Sequence, residues 1–412
     1  MKNRSLRIFL KIALSTMLLT CIRPAPAPLP VILNSPVGET ITAADITFSW
    51  QAQQPAAGYI IQVASDSNFR KIVVEETVST ASANLHLKTD GRYWWRVRAR
   101  NESNIWGFWS EAAFFILQRF RVVGALKTQG YPHDLAILGN RLFIADGQAG
   151  LAIYDISIPE QPRLQGKYLD SLNVAWGVKA RDSLVFLAYG YKELVIINAV
   201  RPESLKITGV LEYPQPGYGY ALALRDSWVY IAAGAQFIAV DISQPAYPNL
   251  RFQYYYPRNC RGIAIENAYA CVACEQLGIA VWKLDTFPPR QTETFDTDGN
   301  ARGVDCRDGF ITVADGRNGV IFLQQDQAGH LTELAALELN GYASAVTIED
   351  TLVFVACGSG GVAVVNCADR ANPFLIATIT SPYAYKVGAI PGTDYFFVLD
   401  RDLGIVTVKK EF

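Results

Sequence analysis

Leu142-Phe143-Ile144-Ala145-Asp146-Gly147 returns as Ile311-Thr312-Val313-Ala314-Asp315-Gly316 and again as Val353-Phe354-Val355-Ala356-Cys357-Gly358. Each is a short apolar run closed by a turn. A second run follows each, as in Gly150-Leu151-Ala152-Ile153-Tyr154-Asp155 and Gly361-Val362-Ala363-Val364-Val365-Asn366. Then come a Pro-rich turn, such as Pro159-x-x-Pro162 or Pro245-x-x-Pro248, and a more polar strand such as Leu164 to Leu169. With the end of the first run as anchor, the pattern falls on Asp146, Tyr189, Ala233, Cys274, Asp315, Cys357 and Asp400. The spacings are 43, 44, 41, 41, 42 and 43. Four strands in a unit of about 42 residues is the size of a propeller blade. The runs are apolar on both faces, as expected of sheets sandwiched between neighbours, whereas a half-exposed sheet would alternate. Near-equal units without atypical caps favour a closed ring over an open solenoid.

The ends of the repeat region point the same way. The last unit stops after its third strand, Gly404 to Lys409, while an orphan strand, Val122-Val123-Gly124-Ala125-Leu126, precedes the first. That strand is similar to fourth strands elsewhere, such as Thr208-Gly209-Val210-Leu211, so 122–126 is expected to complete the last blade and leave no open edge. The fold class is therefore all-β: a seven-bladed β-propeller over 118–412, preceded by a small β-sandwich over 31–117. The sandwich is read from short alternating strands, Ile46-Thr47-Phe48-Ser49-Trp50, Tyr59 to Ala64 and Tyr93 to Ala99, broken by Gly, Pro, Ser and Asn.

Two resemblances follow from these residues. The first segment resembles bacterial fibronectin type III domains through Phe48-x-Trp50, the Asp66-x-Asn68-Phe69 turn, Leu87 six residues before Tyr93, Tyr93-x-Trp95-Arg96-Val97-Arg98-Ala99, and Trp109-Ser110. It implies core roles for Trp50 and Trp95 and leaves Trp106 and Trp109, in a polar stretch, open. The repeats resemble the LVIVD-repeat family of bacterial surface and secreted proteins. The clearest carriers are Tyr154-Asp155-Ile156-Ser157-x-Pro159-x-x-Pro162 and Val240-Asp241-Ile242-Ser243-x-Pro245-x-x-Pro248. That resemblance implies a scaffold and no catalytic set. The Gly-His and Trp-Asp signatures of WD-type propellers and the Asp box of sialidase-like propellers are missing.

Residues 1–20 read as an export signal: Lys2, Arg4, Arg7 and Lys11 lead into an apolar stretch too short to span a bilayer comfortably. Leu18-Leu19-Thr20-Cys21 resembles a bacterial lipobox, with Thr20 where a smaller residue is usual, and implies a lipid on Cys21. Residues 21–30 form a Pro-rich tether. The expected address is the cell envelope by lipid anchor, at the outer membrane because Ile22 rather than Asp follows the Cys. Without acylation the protein is expected to be secreted.

Composition restrains the function. Lys plus Arg number 37 and Asp plus Glu 38, so no global field gathers nucleic acid. There are only three His, and Cys271-x-x-Cys274, which has the spacing of a zinc half-site, has no His and no second close Cys pair nearby, so neither metal nor cofactor is expected. Six Cys remain after Cys21. Cys260 and Cys274 flank a short turn and could pair, with buried free thiols as the other reading.

Propellers bind at the channel end where the innermost strands begin. Counting back from the anchors gives His133, Trp176, Tyr220, Arg261, Arg302, Ser344 and Lys386, a row that varies where the rest of the unit repeats. The Asp anchors are expected at the same end. Such a mixed rim suits sugars or peptides by stacking and hydrogen bonding, although the same residues could simply plug the channel. The favoured reading is a surface-displayed, non-catalytic binding or scaffold module for a glycan or protein ligand. The alternative is a propeller hydrolase or lyase acting on polysaccharide, with the Asp turns, His133, Tyr220 and Arg261 as its parts.

Overall fold

The computed structural model describes residues 26–54, 56–169, 173–190, 193–212 and 219–411. The signal segment and Cys21 lie outside the described residues.

The N-terminal sandwich consists of a three-stranded sheet (Leu33–Ser35, Asp45–Trp50, Ser82–His86) and a five-stranded one built around Gly91–Arg100 and Gly58–Ala64. Along Gly91–Arg100 the side chains alternate: Tyr93, Trp95, Val97 and Ala99 are buried. Trp95 packs edge-on against Phe48 at 5.0 Å, and its indole N–H donates to the Pro36 carbonyl at 2.7 Å. Trp50 and Trp95 are thus core. The other face answers the question left by Trp106 and Trp109. Arg96 lies over Phe69 (4.1 Å) and Trp109 (4.3 Å), and Arg98 over Trp109 (4.5 Å) and Trp106 (5.1 Å). The two indoles are interleaved with the strand's own arginines in a cation–π ladder.

Seven antiparallel sheets follow among the described residues. The first is typical: Asp134–Leu138, Arg141–Ala145, Leu151–Asp155 and Arg163–Tyr168, paired in that order. Its second and third strands are almost wholly buried, while the fourth is mostly exposed. The apolar clusters show why: each mixes residues of two consecutive sheets. Phe186 and Ile196 of the second sheet, for instance, share a cluster with Leu222 and Ile238 of the third. The turn between second and third strands explains its glycines. Gly147 and Gly150 take φ of 57° and 79°, where a Cβ is strained, and Asp146 N–H donates to the Gly150 carbonyl at 2.7 Å.

In the third sheet that turn is shorter, with Gly234 alone after the Ala233 anchor. Here Trp228–Asp241 is one continuous element, pairing with Gly219–Arg225 through its first half and Asn249–Cys260 through its second. The seventh sheet is completed from upstream in the chain. Phe120–Leu126 pairs antiparallel with Gly404–Lys410, in the register Ile405 with Leu126 and Val408 with Val122. Leu135, Ile144 and Tyr154 of the first sheet share a cluster with Phe397, Leu399 and Ile405 of the seventh, so the ring closes on itself.

Cys260 and Cys274 are joined by a disulfide. The remaining described thiols are Cys271, Cys357 and Cys367, all buried, and Cys306, which is partly so. Burial pushes the Cys271 thiol up to about 12, as expected of an inert core cysteine. No helix of the described residues is long and apolar enough to cross a membrane.

Candidate functional site

Strand register defines the mouth row. In the first sheet His133 N–H donates to the Ala145 carbonyl, one residue before the Asp146 anchor. Arg261, Arg302 and Ser344 make the same bond to Ala273, Ala314 and Ala356. Trp176 and Tyr220 occupy the corresponding bulge positions, between Ala175 and Gly177 and between Gly219 and Ala221. Just ahead of several of them, an Ala bridges back to the preceding sheet's turn: Ala175 to Gly147, Ala301 to Glu275, Ala343 to Gly316, Ala384 to Gly358. Row residues are therefore fixed by backbone on both sides.

The seventh member is corrected by this register. Ala384 pairs with Asp400 and Lys386 with Leu399, so the bulged residue between them is Tyr385. Tyr385 is the counterpart of His133, and Lys386 is the counterpart of Asp134, one step further along the channel. The turn before this anchor is two residues longer than in the other sheets, and Lys386, fourteen residues back, allows for only one of them.

The row forms a nearly continuous arc of ring contacts. Tyr385 lies 5.7 Å from His133, His133 stacks on Trp176 at 4.3 Å, and Trp176 meets Tyr220 edge-on at 5.5 Å. The Arg261 guanidinium then covers the Tyr220 ring at 4.2 Å while its Nε donates to Glu275 Oε1 at 2.7 Å. Arg302 stands over Tyr342 at 5.6 Å, and Ser344 Oγ donates to the Ala356 carbonyl at 3.2 Å. Tyr383, with Arg401 over it at 4.6 Å, extends the arc beside Tyr385. Sequence counting missed Tyr342, Tyr383 and Glu275. Tyr342 and Tyr383 each stand two residues before a row residue, at a position that Tyr131 also occupies, and that recurrence was a usable signal. Burial holds the His133 imidazole down at about 4, so at neutral pH it is an uncharged ring.

The Asp anchors do not join this rim. Asp146, Asp315 and Asp400 are buried, and each ties its own turn to the segment leading into its sheet. Asp146 Oδ2 accepts the N–H groups of Gln129 and Gly130 at 3.1 and 3.0 Å. Asp315 Oδ1 accepts the Thr297 hydroxyl at 2.6 Å. Asp400 accepts the Ser381 hydroxyl and the N–H groups of Tyr383, Asp402 and Leu403. They are staples, and the row cation Arg261 pairs with Glu275 instead. Among the described residues no group of His, Cys, Asp and Glu is placed to hold a metal.

Beyond the row the same strands carry Gly177, Ala221, Gly262, Gly303 and Ala345, which let neighbouring inner strands approach closely. A Cβ on Gly303 would lie 2.7 Å from the Ala345 Cα. Only at the seam between the seventh and first sheets is this layer charged, with Lys386 Nζ 4.0 Å from Asp134 Oδ1.

The family model described as LVIVD repeat matches residues 129–170 and 216–255, the first and third units, where the Asp-Ile-Ser-x-Pro-x-x-Pro turn is intact. There Asp155 Oδ1 accepts both the N–H and hydroxyl of Ser157, and Asp241 Oδ1 accepts the N–H of Ser243. These are Asx turns that carry the chain to the outer strand. The model described as the Rha78A-like, N-terminal immunoglobulin domain matches residues 34–117. Immunoglobulin and fibronectin type III domains share the sandwich architecture. No curated protein matches the chain. Among solved structures, the WD40 β-propeller domain of Doa1 is similar at 10% identity and a TM-score of 0.57, covering 71% of this chain and 97% of that one. A chain of the mitotic checkpoint complex is similar at 8% identity and 0.58, covering 72% and 92%. The computationally designed Ika8 protein is similar at 11% and 0.53, covering 70% and 99%. At such identities the likeness is one of fold. The chain is a β-propeller protein with LVIVD repeats behind an N-terminal immunoglobulin-like domain.

Proposed function

We propose that the chain is a non-catalytic binding or scaffold module that takes a glycan or protein ligand at the propeller mouth. The observation that supports this reading is the arc Tyr385–His133–Trp176–Tyr220–Arg261. Its rings and guanidinium are half-buried and held by backbone, at the one row where the repeats differ from each other. Aromatic faces with a polar handle suit sugar rings and peptide side chains alike. The hydrolase or lyase reading draws no support from the Asp anchors, which are buried and tie down their own turns. Probing glycan and peptide arrays with the intact protein tests the proposal. At least one ligand should be retained, and Trp176→Ala should weaken it at least tenfold. Equal retention by that variant, or no retained ligand, would sink it.

The proposal extends to address: a lipid on Cys21 holds the module at the cell envelope, on the outer membrane, with no nucleic-acid partner. The wild-type protein should then sediment with membranes and Cys21→Ser should not. Unchanged fractionation would argue against the anchor.

A further inference from the structure

Below the mouth row the inner strands enclose a cavity of about 540 Å³ lined, among others, by Lys179, Arg181, Asp305, Thr347, Glu349 and Lys386. That volume is within the usual range for a small-molecule site, roughly 300–1,000 Å³. Its two ammonium groups are unevenly bonded. Asp134 Oδ2 already accepts the Val178 N–H at 3.1 Å and the Lys179 ammonium at 3.4 Å. Lys386 is left with Asp134 Oδ1 at 4.0 Å, beyond hydrogen-bonding reach, and makes no hydrogen bond among the described residues although its side chain is only 27% exposed. Asp134 and Asp305 both face the two ammonium groups, but neither hydrogen-bonds Lys386, whose three donors are left for an acceptor in the cavity. Elsewhere on the wall, Asp305 is fixed by the N–H groups of Cys306 and Ile348, at 3.0 and 2.8 Å, with one lone pair on each oxygen still to fill. Thr347 Oγ1 donates to the Val387 carbonyl at 2.7 Å and so presents acceptor capacity only.

We infer that this channel cavity binds a small hydroxycarboxylate of the sugar-acid kind, whose carboxylate takes Lys386 and whose hydroxyls donate to Asp305 and Thr347. A bare anion would satisfy the lysine but face Asp305 with nothing to donate. A neutral sugar would satisfy Asp305 but leave the ammonium without a charged hydrogen-bond acceptor. The site is independent of the mouth, because no row residue is among these contacts.

Titration calorimetry of the intact protein with D-gluconate, D-glucose and inorganic phosphate tests the inference. Gluconate should bind at least tenfold more tightly than either of the others. Lys386→Met should weaken it at least tenfold, and Lys386→Arg should restore most of the loss. Thr347→Val should weaken gluconate severalfold and phosphate not at all, which keeps the test open should the Met variant fail to fold. Absence of gluconate binding, equal binding of glucose or phosphate, or undiminished binding by Lys386→Met would each overturn it.

Discussion

Pressed between Trp176 and Tyr385, the His133 imidazole takes up a proton only near pH 4, because the charged form is poorly solvated there. An unfolded His titrates near 6.5. Between about pH 6.5 and 4 the unfolded chain therefore holds a proton that the folded one refuses, and stability falls as pH drops through that window. Replacing the ring by one that cannot titrate isolates this contribution from that of Asp315, whose pKa, raised by burial to about 6, acts in the opposite sense. Melting temperatures of wild type and His133→Phe followed from pH 7 to 4 should diverge, the variant losing less. Parallel curves would mean that His133 keeps an ordinary pKa. The residue scale is also where the sequence was hardest to read. Six row positions follow from a fixed offset to the anchor. The seventh depends on a bulge between Ala384 and Lys386 that only strand pairing reveals.

Within the elements, close approach of inner strands rests on the small residues of the layer below the mouth. Gly303→Ala places a methyl 2.7 Å from the Ala345 Cα and 2.9 Å from the Ser344 carbonyl oxygen, so backbone must move. Overpacking of this kind costs about 1–3 kcal/mol, and denaturant unfolding should show a loss of that size. A loss under about 0.5 kcal/mol, ordinary for a surface change, would mean that the strands are not so tightly apposed. Elements of this kind were legible because a buried sheet repeats its apolar runs while its turns repeat their glycines. The third sheet escaped the four-strand pattern because Gly234 shortens its turn. The Cys260–Cys274 link stayed undecided in the sequence because an even thiol count admits both states. Its consequence is local: Cys260 and Cys274 are followed by Arg261 and Glu275, which pair with each other in turn.

For the whole molecule, closure comes from a strand upstream of all the repeats. Phe120 packs against Phe354 and Phe396, at 6.2 and 5.9 Å, and Phe120–Leu126 covers the edge of Gly404–Lys410. A chain beginning at Arg119 keeps that strand, and one beginning at Tyr131 lacks it. The shorter chain exposes an apolar edge and should melt lower and aggregate on concentration. Equal melting and solubility of the two would remove the closing role. The binding proposal rests on that closed ring and on the register that puts Tyr385, and not Lys386, at its mouth. The most direct test is the affinity of the strongest array ligand for wild type, Tyr385→Ala and Lys386→Met. Tyr385→Ala should weaken it at least tenfold, about 1.4 kcal/mol, with Lys386→Met within twofold of wild type. Loss in Lys386→Met with none in Tyr385→Ala would contradict the mouth as the binding site.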